Sequence, residues 1–107
     1  PLIVDHDLSE PFRNALALLF RRYNRNRDGV MSRVEFRQFV QDTNGQTPEL
    51  AFVDSICQHY SGRSSSGMTL PGFCAFFKEQ ALHEPVEVRD DLAKHGFDKA
   101  TLRHTVL

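Results

Sequence analysis

Tryptophan is absent from these 107 residues, and cysteine occurs only twice. Two thiols are too few to staple a small secreted fold, so Cys57 and Cys74 are expected to be reduced, packed side chains without a disulfide. No apolar run is long enough to span a bilayer, and no signal-peptide pattern precedes the first predicted helix. A soluble, cytoplasmic piece is therefore expected, and its start at Pro1 instead of Met suits an excerpt of a longer protein. An excess of one charge is also lacking: the net charge is −1, which argues against a nucleic-acid partner. Catalytic constellations are missing as well. Ser64, Ser65 and Ser66 lack the strand-to-helix elbow of a nucleophile. His6, His59, His83, His95 and His104 are scattered, with no pair on one helical face to hold zinc, so surface or capping roles are expected for them. There is no phosphate-cradling loop, and no enzymatic activity is expected of the chain.

What the sequence does contain is phenylalanine and a loop rich in side-chain oxygen. Nine Phe and a hydrophobic content of 40% suit one small helical domain over residues 1–107 with a moderate core. Between Phe20 and Val40 the chain reads FRRYNRNRDGVMSRVEFRQFV. With Asn24 as the first position of a twelve-residue loop, oxygen donors fall at Asn24, Asn26, Asp28, the Val30 carbonyl, Ser32 (through water) and Glu35, while Gly29 takes the sharp turn. A hard cation wants six to eight such oxygens, and a glutamate at the twelfth position can supply two of them. These are candidate calcium ligands. Only Asp28 and Glu35 carry formal negative charge, and Arg21, Arg22, Arg25, Arg27 and Arg33 crowd the same segment, so weak or moderate affinity is expected. The alternative is a loop that folds in the same way without an ion. The arginines from Arg21 to Arg37 are either a solvated helix face or a basic patch for an acidic partner, phosphate included.

An internal repeat follows at an offset of 37 residues. Leu16, Leu19, Tyr23, Met31, Phe36, Phe39 and Val40 map onto Val53, Ile56, Tyr60, Met68, Phe73, Phe76 and Phe77. Cys57 replaces core Phe20, and Cys74 replaces the more exposed Arg37. In the second copy the loop reads SGRSSSGMTLPG, with Ser61, Arg63, Ser65 and Gly72 at positions one, three, five and twelve. Without a carboxylate it is expected to be metal-free and structural, each loop offering a short extended segment to the other around Met31 and Met68.

Caps and periodicity predict four helices for this tandem. The first spans about Glu10 to Tyr23, with Ser9 as N-cap and Pro11 in its first turn. A second follows Ser32 and ends near Gln41. Asp42 to Pro48 reads as a linker, with Thr47 capping and Pro48 opening a third helix toward Tyr60. The fourth starts after Thr69, tolerates Pro71 and ends near Leu82. Pro85 then opens a fifth helix with Val88, Leu92 and Val86 facing inward and Gly96 as its stop, and Asp98 is a cap for a last short helix through Leu102, Val106 and Leu107.

The 24–35 loop and its flanks resemble the EF-hand superfamily, whose calcium hands come in pairs. The resemblance implies an all-α fold of paired hands, one intact over about 10–41 and one degenerate over about 48–82, with one or two further helices over about 85–107. The run GMTLPGFCAFF, followed by His83-Glu84 and later HGFD, resembles a unit of the mitochondrial Rho GTPases, the Miro proteins. There a calcium hand, a hidden hand and a ligand-mimicking helix are joined, which implies attachment through a parent protein to the cytosolic face of an organelle. ICQHYSGRSSSGMTLPGFCAFFKEQ also resembles the EF-hand region of phosphoinositide phospholipases C, where the hands are mainly scaffold. Paired hands offer an apolar groove to an amphipathic helix. The expected occupant is a protein partner or the chain's own C-terminal helix. Two functions are thus expected as alternatives: a non-catalytic calcium-responsive regulatory module with calcium at the first loop only, or a constitutive metal-free scaffold for protein–protein interaction.

Overall fold

The computed structural model describes residues 1–62 and 65–104. Arg63, expected at the third position of the second loop, and Val106 and Leu107, expected in a last helix, lie outside the described residues. The chain opens with β1 (Ile3–Val4) and β2 (Asp7–Leu8), an antiparallel hairpin turned by Asp5 and His6 at φ 53° and 67°. The described residues are mostly helical, as the all-α expectation has it, and this short pair is an addition to that architecture. Strands of two residues are too short to show any periodicity, and Asp-His is not a usual hairpin dipeptide.

Helix α1 (Glu10–Tyr23) forms as its sequence dictates. Ser9 Oγ accepts the Phe12 N–H at 3.3 Å, and Pro11 sits in the first turn, where its missing N–H leaves no gap. Its buried stripe is Phe12, Leu16, Leu19, Phe20 and Tyr23. After the loop come β3 (Val30–Ser32) and α2 (Arg33–Asn44), then α3 (Leu50–Ser61), β4 (Gly67–Thr69) and α4 (Leu70–His83). β4 and α4 begin 37 residues after β3 and α2, so the repeat in the apolar pattern is also a repeat in structure. β3 and β4 pair antiparallel with Met31 opposite Met68, both wholly buried.

Three helix boundaries depart from expectation. α2 runs past Gln41 to Asn44 because Gly45, at φ 79°, provides the left-handed cap and donates its N–H to the Gln41 carbonyl at 2.7 Å. α3 starts later than Thr47 and Pro48: Glu49 is its N-cap, without a side-chain hydrogen bond, and the Pro48 carbonyl accepts the Arg37 Nε–H at 2.9 Å. Arg37 thereby ties the linker to α2 from a distance that local pattern does not reveal. Asp98 opens no helix. Its Oδ2 accepts the N–H groups of Ala100 and Thr101 at 3.0 and 2.8 Å, Leu102 turns the chain at φ 63°, and Phe97 bridges antiparallel to His104.

Helix α5 (Pro85–Lys94) buries Val88 and Leu92 as expected, whereas Val86 is 72% exposed. Among the described residues, five helices enclose a phenylalanine core centred on Phe39, whose ring meets those of Tyr23, Phe36, Phe73, Phe77 and His95 at centroid distances of 5.2–6.0 Å. Among the described residues, no helix is long and apolar enough to cross a membrane.

Gly67 marks the closest approach of the two repeats. A Cβ there would stand 2.1 Å from the Met31 carbonyl oxygen, which is backbone and cannot swing aside. Gly67→Ala is expected to lower unfolding stability by roughly 2–3 kcal/mol, the scale of overpacking, in urea denaturation; a variant within experimental error of the parent would show that the strand pair is not close-packed.

Candidate functional site

α1 delivers Asn24 to the head of the first loop as its C-terminal cap, with the Asn24 N–H donating to the Phe20 carbonyl at 2.9 Å. Arg27 at φ 57° and Gly29 at φ 85° then curl the chain back toward β3. This brings four of the six candidate ligands together. The Asn24 side chain is only 5% exposed, and its inner amide atom lies 3.1 Å from Asp28 Oδ1, 3.1 Å from Asn26 Oδ1 and 3.0 Å from the Val30 carbonyl oxygen. Three acceptors around one atom need a proton donor or a cation among them. The network is satisfied with the amide nitrogen inward and the amide oxygen outward, where it accepts the Gly29 N–H at 3.2 Å. So oriented, the loop's own NH2 group holds the three oxygens together.

Ser32 and Glu35 have a different local task. Ser32 Oγ accepts the Glu35 N–H at 3.0 Å while Glu35 Oε1 accepts the Ser32 N–H at 2.8 Å, a reciprocal capping box that starts α2. The second Glu35 oxygen, Oε2, accepts the Arg25 N–H at 3.2 Å and so crosses the loop. The donor set fits a hard cation in kind, since its oxygens come from two amides, a carbonyl, a hydroxyl and two carboxylates. It fits poorly in charge, and all six members already have donors within the protein, Asp28 Oδ1 accepting the Val30 N–H at 3.0 Å as well. Among the described residues there is no group of three or more His, Cys, Asp or Glu that could hold a metal.

The second loop is tied by serine. Ser61 Oγ accepts the Thr69 N–H at 3.0 Å and donates to Met68 Sδ at 3.2 Å. A Cβ on Gly72 would stand 2.2 Å from Ser61 Oγ and 2.8 Å from the Tyr60 carbonyl, so no side chain fits at the twelfth position.

The structure adds two features that sequence reasoning missed. The Tyr23 hydroxyl donates to Asp42 Oδ2, and the Tyr60 hydroxyl donates to Glu79 Oε2, the same bond repeated 37 residues on. Burial and the acceptor carboxylate push the Tyr60 phenol up to about 12. The shared offset of 37 between the two tyrosines and between the two carboxylates is the sequence signal for this bond, and its carboxylate half lies outside the apolar pattern of the repeat. The other feature is Arg22. Instead of crowding the loop it turns to the C-terminal segment, donating from Nη1 to the His95 carbonyl at 3.0 Å and from Nη2 to His104 Nε2 at 2.9 Å.

His95 is the inner end of that clasp. Its ring stacks on Phe39 at 5.2 Å and meets Tyr23 edge-on at 6.0 Å. The Thr43 hydroxyl has one proton, and with that proton on the Phe39 carbonyl (2.7 Å), His95 Nε2 carries the N–H that reaches Thr43 Oγ1, also at 2.7 Å. Lys94 Nζ donates to the Thr43 carbonyl at 2.8 Å, satisfying an orphan acceptor at the end of α2. Together these bonds close α5 and residues 95–104 over α1 and α2. Comparison of the chain with protein-family models, curated proteins and solved structures finds no match.

Two tests follow from the loop and the clasp. Asn24→Asp replaces the central donor with a third carboxylate facing three oxygens, so in chelator it is expected to lose about 1–3 kcal/mol in urea unfolding; unchanged stability would remove the amide from the centre of the loop. Burial first, then Arg22 and Lys94, hold the His95 imidazole below its ordinary 6.5, with Asp42 opposing. The neutral ring is thus the folded form. The stability it contributes is full above pH 6.5 and falls, by at most about 1.4 kcal/mol per pH unit, as the pH drops toward the lower folded value. His95→Gln is expected to flatten that part of the pH–stability curve, and an unchanged slope would exclude His95 as its source.

Proposed function

We propose that this chain is a non-catalytic protein-interaction scaffold built from two EF-hand-like repeats, with its apolar groove closed by its own C-terminal helix. One observation carries the reading: Val88, Leu92, His95 and Phe97 are buried against the repeat pair. A groove already filled by its own chain has little surface left for an ion to expose, which disfavours a switch. Both loops are held by internal hydrogen bonds, the first by the Asn24 amide and Glu35, the second by Ser61. In this reading the second loop is metal-free in every state, because Gly72 leaves no space for a ligand side chain.

A second reading has its own support. The oxygens of Asn26, Asp28 and Val30 converge, and rotating the Asn24 amide about its last bond adds a fourth, which favours weak calcium binding at Asn24–Glu35 with a regulatory role. Such binding must release the Ser32 and Arg25 N–H groups from Glu35 and work against the exposed arginines.

Calcium calorimetry with thermal unfolding separates the two. The scaffold reading expects no heat and equal stability in calcium and in chelator, for the parent and for Glu35→Gln alike. A site with Kd of about 1 mM would instead add about 1.4 kcal/mol at about 10 mM calcium and lose it in Glu35→Gln, which would replace the scaffold by the regulatory module.

A further inference from the structure

The arginines around the first loop divide into two sets. Arg22 is bound to the C-terminal segment and Arg37 to the Pro48 carbonyl. Arg33 Nε stands 2.8 Å from Asp54 Oδ1, a Coulombic contact whose N–H direction misses a hydrogen bond, and Arg33 Nη1 reaches the Ser66 carbonyl at 3.4 Å. Arg21, Arg25 and Arg27 are different. All three are exposed, and among the described residues no carboxylate lies within 4.0 Å of their guanidinium groups. Two of them, Arg21 and Arg27, border an open cleft of about 320 Å³ whose apolar wall is Ala17, Phe20 and Leu70. The cleft therefore joins an apolar floor to unpaired positive charge on a chain whose net charge is −1.

We propose that this cleft is a docking site for an acidic peptide segment of a protein partner, in which an apolar side chain enters between Ala17, Phe20 and Leu70 and flanking carboxylates pair with Arg21 and Arg27. The inference rests on the reading of the chain as an interaction module and names the partner's chemistry. Concavity and charge together favour a peptide. A guanidinium fork pairs with a carboxylate through two parallel hydrogen bonds, and an apolar wall rewards a side chain between two such pairs. A membrane surface would instead call for a flat basic face with exposed apolar anchors, and a nucleic acid for a larger basic footprint. Arg25, exposed on the same loop, extends the positive field and speeds encounter without being required in the cleft.

The test uses a fluorescein-labelled peptide of glutamate pairs separated by single leucines, titrated with the whole chain and followed by anisotropy. Saturable binding that weakens with added salt is expected, with at least about a tenfold loss of affinity in Arg21→Glu/Arg27→Glu. Arg103→Glu reverses a charge on a different cleft, the one lined by Glu10, Asn14 and Leu18, and is expected to bind within about twofold of the parent. If the double reversal fails to fold, Arg21→Gln/Arg27→Gln removes the charges without reversing them and is expected to show a smaller but clear loss. The proposal is overturned if Arg103→Glu loses as much as the double variant, if the parent binds phosphatidylserine vesicles but not the peptide, or if it binds neither. Those outcomes leave the calcium calorimetry untouched, so failure of the cleft is distinct from failure of the scaffold reading.

Discussion

The antiparallel contact of β3 with β4 is the constraint on which the molecule depends. Met31 and Met68 face each other without solvent access, and each strand leads directly into a helix whose N-cap, Ser32 or Thr69, is the last residue of that strand. Pairing three residues therefore fixes the starting points of α2 and α4 together, and with them the phenylalanines that meet around Phe39. Gly67 permits the approach by having no side chain against the Met31 carbonyl. A short sheet of this size has no stability alone and depends on the helices it positions, so strand pair and core are one cooperative unit.

The two loops reach a similar end by different chemistry. In the first, an amide shares its two N–H bonds among three oxygens that would otherwise repel one another, and Glu35 ties the loop's second residue to the start of α2. In the second, the serine hydroxyl at the equivalent position is small enough to sit against Gly72 and bond back to Thr69. Both loops are thus positioned by donors of the chain itself at hydrogen-bond distance. The exposed Arg21, Arg25 and Arg27 are compatible with such an interior, whose formal charge, from Asp28 and Glu35, is negative.

Closure by the C-terminal segment is set by polar contacts at its edge as well as by apolar burial. Val88 and Leu92 supply buried surface, while Arg22, Thr43 and Lys94 fix the register of residues 94–104 through bonds to His95, His104 and the Thr43 carbonyl. An imidazole at the inner end gives this closure a pH-sensitive member, because a second proton on a buried ring near Arg22 and Lys94 costs solvation and Coulomb energy together.

By itself the sequence determined what neighbours along the chain decide: the bounds of α1 from Ser9, Pro11 and the spacing of its apolar stripe, the start of α4 after Thr69, the buried pair Val88 and Leu92, and the offset at which the repeat recurs. It also indicated that Asn24, Asn26, Asp28 and the Val30 carbonyl share one loop. Tertiary structure alone decided which amide atom faces the centre of that loop, that Arg22 leaves it for His95, that Pro48 receives Arg37 instead of opening a helix, and that Asp98 makes a turn. The physical reason is common to these cases. Periodicity and capping act over one or two turns of chain, whereas the destination of a guanidinium or an amide depends on which distant acceptor the completed fold places within about 3 Å of it.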